Sequence, residues 1–189
     1  MINKKFIQQL KKDYDKSEIE RRKIISSSNL ILHDSKRVIF SLHRDDFIKA
    51  KKSLIEIEKS LIKMQKDFGF NRLNKEGSYK AGAEEFVEAK MFYLVLNNKK
   101  IDKIKNISLN LDSYLGGICD LTGELVRRAT NLASKNKLKE VDKIKKLIEE
   151  ILVELVEFDI TGYLRTKYDQ AKNNLRKVEQ INYEIKIRK

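Results

Sequence analysis

Not one proline occurs in this chain, and only seven glycines interrupt it. A β-rich fold uses both residues in its tight turns, so a chain nearly free of breakers is confined to long helices. Apolar residues recur at helical spacing almost end to end. Phe6, Ile7 and Leu10 mark a short first helix, expected to break near Asp15. Ser17 and Glu20 form a capping-box pattern that starts a long helix through Ile24, Ile25, Leu32, Ile39 and Leu42. Asp45 is placed to cap the next helix, carried by Phe47, Leu54, Ile57, Leu61 and Met64. Phe68-Gly69-Phe70 and Gly77 bracket a loop that holds Arg72 and Lys75, with Lys80 nearby. Residues 79–96 are apolar on nearly every face and read as the central, buried helix. Residues 97–111 read as a connection with one helical turn. Asp112 can cap a helix holding Gly116, Gly117, Asp120, Gly123 and Glu124. Val141, Ile144, Leu147, Ile148, Ile151 and Leu155 outline another helix, and a last one follows Gly162. The prediction is an all-α fold, an antiparallel bundle of about seven helices forming one domain over residues 1–189.

Charge narrows the partners. Lys and Arg number 41 against 28 Asp and Glu, a net charge of +13. Residues 1–66 hold 17 basic and 9 acidic residues and so carry +8 of that excess. A folded basic face of this kind concentrates phosphate polyanions and binds them in a salt-dependent way. A lysine-rich helical protein with no such partner is the plainer reading. No apolar run is long enough to span a bilayer and the first residues lack the apolar core of a signal peptide, so a cytoplasmic protein without membrane contact is expected. Cys119, the single cysteine, excludes an internal disulfide and a cysteine zinc site, and reads as a small buried helix residue.

Against this basic background, two acidic motifs sit in apolar helical stretches: Gly82-Ala83-Glu84-Glu85-Phe86-Val87-Glu88-Ala89 and Asp120-Leu121-Thr122-Gly123-Glu124-Leu125. Glu85 and Glu88 are three apart, and Asp120 and Glu124 four apart, so each pair shares one helix face. Glu84 lies about 100° around the helix and reads as a solvated neighbour. Four carboxylates directed into a core repel one another and resist desolvation unless a cation lies between them. Oxygen-only ligands suit Mg²⁺ or Mn²⁺. No Glu-x-x-His pair of the di-iron bundles is present, which argues against iron and oxygen chemistry. The plainer alternative pairs Glu124 with Arg127 or Arg128 one turn on, and Glu85 and Glu88 with a neighbouring lysine.

Three segments together resemble the translin superfamily. The first acidic motif is similar to the Gly-x-x-Glu-aromatic-x-Glu-Ala segment of its translin-associated factor X branch. Residues 114–125, Tyr114-Leu115-Gly116-Gly117-Ile118-Cys119 followed by the second acidic motif, resemble that branch's Asp-Leu-Thr-Gly-Glu-Leu helix. Lys167-Tyr168-Asp169, Lys177-Val178-Glu179, Tyr183 and Ile187-Arg188 resemble the closing helix of both branches, and Ser35-Lys36-Arg37-Val38-Ile39-Phe40 with Leu42-His43-Arg44 adds a weaker match. The resemblance implies a functional distinction: translin binds single-stranded RNA and DNA and lacks these acids, whereas the factor-X branch keeps them as the catalytic subunit of a magnesium-dependent endoribonuclease. By resemblance, Glu85, Glu88, Asp120 and Glu124 are catalytic, Glu88 and Glu124 are direct metal ligands, and the protein is a homo-oligomer in an octamer-like shell. This chain is shorter than the eukaryotic members.

Two function classes follow. One is a metal-dependent endoribonuclease acting on single-stranded RNA and also binding single-stranded DNA; the other is a non-catalytic oligomeric binder of single-stranded nucleic acid. Lys36, Arg37, Arg44, Arg72 and Lys80 are the RNA-contact candidates by charge, with His43 added because Arg44 follows it. His33 and His43 point to different helix faces and give little support to a paired-histidine mechanism. Tyr79, Phe86, Phe92 and Tyr93 have the chemistry to stack on bases, yet at helical spacing they read first as core.

Overall fold

A computed structural model describes residues 1–187, which contain seven helices and no strand. These are α1 (Lys4–His43), α2 (Phe47–Phe68), the single turn α3 (Phe70–Leu73), α4 (Gly77–Leu96), α5 (Leu111–Ala133), α6 (Leu138–Val156) and α7 (Gly162–Ile187). Arg188, part of the closing-helix resemblance, lies outside the described residues. The all-α bundle is the predicted one, but its elements divide differently. α1 runs unbroken through Asp15 and Ser17. Nothing there stops it: no glycine or proline intervenes, and both polar side chains stay on an exposed face. Asn3 caps it instead, accepting from the backbone N–H groups of Lys5 and Phe6. The seventh helix is the short turn α3.

Two other caps sit beside the expected residues. Asp46, not Asp45, caps α2 by accepting from the Lys49 N–H at 3.0 Å. Asp45 takes the left-handed turn conformation that ends α1 (φ +60°) and pairs with Arg128 at 2.7 Å. Asn110, not Asp112, caps α5, accepting from the Ser113 N–H at 2.7 Å; Asp112 lies in the first turn, where the helix dipole favours an acid. Between α4 and α5 there is a turn near Asn106 but no helical turn, and the buried Ile104 and Ile107 hold that connection down.

α4 is the central helix. It packs against α1 on one side and α5 on the other; α2 packs on α1, while α6 and α7 pack on α5 and on each other. Phe86, Val87, Ala89 and Phe92 of α4 are fully buried. Close approach depends on small residues: a Cβ on Gly82 would lie 2.8 Å from the Ser28 carbonyl oxygen of α1. On the other side, a Cβ on Gly117 would lie 2.8 Å from both the Glu84 carbonyl oxygen and the Val87 Cβ. Gly117→Ala is therefore expected to push α5 off α4 and cost about 1–3 kcal/mol, measured as a lower midpoint of thermal unfolding. α1 buries nothing before Ile24, and its first five turns present Phe6, Ile7, Leu10 and Tyr14 to solvent. No helix among the described residues is long and apolar enough to cross a membrane.

Candidate functional site

The packing of α4 on α5 turns two local acid pairs into one centre. Glu85 and Glu88 come from α4, Asp120 and Glu124 from α5; Glu85 feels the charges of Asp120 and Glu124, and Glu88 those of all three. Glu88 is the most enclosed, at 8 % exposure, and makes no hydrogen bond or ion pair with any described residue. Burial, reinforced by Glu85, Asp120 and Glu124, pushes its carboxyl up to about 9. Glu85 is raised as well, by burial first; Lys36 of α1 opposes that shift while Asp120 and Glu124 add to it. Burial also raises Asp120, against the pull of Lys167 and with that of Glu84. At neutral pH Glu88 is therefore protonated.

Two of the acids have partners that the sequence did not suggest. Lys167 of α7 reaches between Asp120 and Glu84, donating to Asp120 and lying 2.9 Å from Glu84 Oε1. Burial works against the Lys167 charge, but hydrogen bonds to Asp120, Glu84 and Tyr163 outweigh it and hold its pKa above the ordinary lysine value. The Tyr163 hydroxyl donates to Glu84 Oε1 at 2.6 Å, and its ring lies 5.4 Å from the Lys167 ammonium. On the other flank, His43 Nε2 bonds to Glu124, and the imidazole packs against Phe92 with centroids 5.0 Å apart. Arg127 lies 3.7 Å from Glu124, so the expected local pairing is present beside the long-range one.

Three readings from the sequence change. Glu84 is not solvated: its side chain is only 14 % exposed, clamped by Lys167 and Tyr163. Gly116 accommodates it, since a Cβ there would lie 2.3 Å from Glu84 Oε2. His43 is not on the basic surface, because its side chain is 5 % exposed and sits within the acidic centre. Tyr79, Phe86 and Phe92 are core residues closed to bases, while Tyr93 is half-buried. Of the basic candidates, Lys36, Arg37, Arg44 and Lys80 are exposed, Arg37 pairing with Asp34 at 2.9 Å and Arg44 lying over the Phe40 ring. Arg72 is half-buried on Glu76 at 2.6 Å. Cys119 is buried, which pushes its thiol up to about 12 and leaves it unreactive.

A divalent ion fits the donor chemistry of this centre, which offers carboxylate oxygens and an unpartnered buried Glu88. As the side chains stand, no three His, Cys, Asp or Glu groups among the described residues converge closely enough to hold one. Asp120 is engaged by Lys167 and Glu124 by His43.

Comparison with known proteins agrees with this arrangement of helices. The Translin family model matches residues 19–189. The chain belongs to the translin family. Within that family it is similar to the Translin-associated protein X homolog of Schizosaccharomyces pombe, 28% identical over 194 residues that cover 92% of this chain and 82% of that protein. Its fold is that of apo-NeC3PO, with a TM-score of 0.83 at 24% identity over 98% of both chains. It is equally that of AfC3PO in a duplex RNA complex, with a TM-score of 0.84 at 19% identity over 97% of both. The seven-helix arrangement is thus a translin-family fold. The matched region takes in most of α1 and every later helix, and the residues before it are almost all exposed.

Proposed function

We propose that this protein is a metal-dependent endoribonuclease for single-stranded RNA, with Glu85, Glu88, Asp120 and Glu124 as its catalytic carboxylates. The observation that carries the reading is Glu88, a glutamate nine-tenths buried, unpaired, and surrounded by three further acids. A purely structural position of this kind is costly, because nothing compensates its desolvation. Glu88 and Glu124 would hold Mg²⁺ or Mn²⁺, with Glu85 beside them. The ion would supply Lewis-acid polarisation of a phosphodiester. Asp120, oriented by Lys167, is the group suited to accept a proton from an attacking water, and Glu85 has the raised basicity to assist it. Membership of the translin family, and a fold shared with a protein solved with duplex RNA, support a nucleic-acid ligand.

The deciding experiment incubates the purified protein with labelled single-stranded RNA, and with duplex RNA in parallel, in Mg²⁺, Mn²⁺ or EDTA. Internal cleavage with metal and none in EDTA is expected; equal cleavage in EDTA would end the metal mechanism. A second reading, a non-catalytic binder of single-stranded nucleic acid, draws on the pairing of Asp120 with Lys167 and of Glu124 with His43, which neutralises part of the centre without a metal. In that case the RNA stays intact under every condition while binding persists.

Binding is assigned to the basic surface. Lys36, Arg37 and Arg44 project from the last turns of α1, on the helix that also carries His43 into the centre. Reversing all three charges is expected to weaken RNA affinity about tenfold or more and to flatten its salt dependence, measured by filter binding across a salt series. Unchanged affinity would move the binding face to Lys80 and its neighbours. The protein is also expected to form homo-oligomers, with Phe6, Ile7, Leu10 and Tyr14 of the projecting α1 covered by a second copy of the chain. Light scattering at physiological salt checks this, and a monodisperse monomer would contradict it.

A further inference from the structure

Five carboxylates meet where α4, α5 and α7 pack, and among the described residues one ammonium is inserted between two of them. Lys167 contacts Asp120 and Glu84 together, with Tyr163 fixing the second of these from the rim. The contact is built rather than incidental. Side-chain exposure is 18 % for Lys167, 14 % for Glu84 and 25 % for Asp120. α5 also leaves out a side chain at Gly116 where the Glu84 carboxylate lies. Without a cation, Glu84 and Asp120 would confront each other directly, and each would turn away or take up a proton. A surface lysine pairing would not require a glycine on the facing helix.

The consequence concerns the number of ions. Two-metal hydrolytic centres hold their ions roughly 3.5–4 Å apart, each needing its own carboxylates. Here one half of the centre, Glu88 and Glu124 with Glu85 nearby, makes no lysine ion pair among the described residues, its cationic neighbours being His43 and the exposed Arg127 on Glu124 and the more distant Lys36 facing Glu85, whereas the other half, Asp120 with Glu84, already shares an ammonium. An ammonium and a divalent ion cannot occupy one pair of carboxylates together, since they compete for the same oxygens and repel each other. We propose that Lys167 is the built-in second cation of this centre, a positioning residue that fixes Asp120 through a direct bond while anchored on Glu84, so that each chain loads a single exchangeable divalent ion. The proposal rests on the metal-dependent reading above. It gives Glu84 a role as the anchor of the ammonium and gives Tyr163 the task of holding that anchor.

Manganese binding tests it without relying on activity. Equilibrium dialysis, with free Mn²⁺ read by its electron paramagnetic resonance signal, is expected to find one ion per chain in the unaltered protein. Lys167→Met, which keeps the aliphatic stem and removes the charge, is expected to admit a second ion. Lys167→Arg, which keeps the charge, is expected to remain at one. Two ions per chain in the unaltered protein would overturn the proposal alone and leave the metal-dependent reading standing. One ion in folded Lys167→Met protein would overturn it as well. No ion in the unaltered protein would overturn both. Because the count in the unaltered protein decides by itself, a Lys167→Met protein that failed to fold would not shield the proposal.

Discussion

Glu88→Gln protein is expected to fold, to bind RNA as tightly as the unaltered chain, and to cleave it at least about a hundredfold more slowly. Glutamine keeps the shape of a side chain that is buried and makes no hydrogen bond in the described structure, so packing around Phe86, Val87 and Ala89 is retained. What is lost is the most deeply buried carboxylate of the centre, which has no hydrogen-bond or ion-pair partner among the described residues. Affinity should survive because the exposed Lys36, Arg37 and Arg44 lie on α1, outside the set of acids. Glu124→Gln should behave alike in cleavage, with His43 left against an amide. Gel-based cleavage and filter binding on the same preparations separate the two effects. Full cleavage by the Glu88→Gln, Glu124→Gln double variant would end the assignment of these residues.

The second large effect is on stability, and its sign is opposite to that of an ordinary ion-paired carboxylate. In the folded protein Glu88 is pushed up to about 9 from an ordinary value of 4.5, so between those limits the folded state holds a proton that the unfolded state has released. Stability linked to this group is therefore complete below the unfolded value and is lost as pH rises through the folded one. At pH 7 the loss relative to a permanently neutral side chain is about 3 kcal/mol. In EDTA at pH 7, Glu88→Gln is expected to unfold roughly 10 °C higher than the unaltered chain and to lack most of its decline in stability toward alkaline pH. Glu85 and Asp120, both raised, should leave a residual slope of the same sign. Saturating Mn²⁺ should erase the advantage of the variant, because the ion binds the ionised glutamate that the substitution removes. A flat pH profile for the unaltered protein in EDTA would show that Glu88 is solvated in solution.

The helical class and the facing acid pairs were legible from spacing alone, because i, i+3 and i, i+4 relations are fixed by one helix whatever surrounds it. The partners were not. Lys167 and Asp120 are 47 residues apart, and His43 and Glu124 are 81 apart, and no periodicity relates such positions. Glu84 was misread for the same reason: its place on α4 is a matter of helix geometry, but whether that flank meets water or α7 depends on which helix covers it. The overlooked signal was Gly116, a glycine inside a helix, which marks a close approach without naming the residue that approaches. Caps were displaced by one or two residues where several polar side chains stood in a row, as at Asp45-Asp46 and at Asn110 near Asp112. The unbroken α1 shows that an acid and a serine in a helical run do not end it when no backbone alternative competes.

Lys167 also sits on a helix synthesised after those that carry the acids. A nascent chain ending before α7 already contains α1, α4 and α5, and with them the mutually repelling acids of the centre, but not the ammonium that reconciles Asp120 with Glu84. The interface between α4 and α5 is thus opposed by its own charges until α7 has been made, and the arrival of α7 supplies both apolar cover and the missing positive charge. Assembly of the acidic centre is in this way held back until α7 has been made and can enclose it.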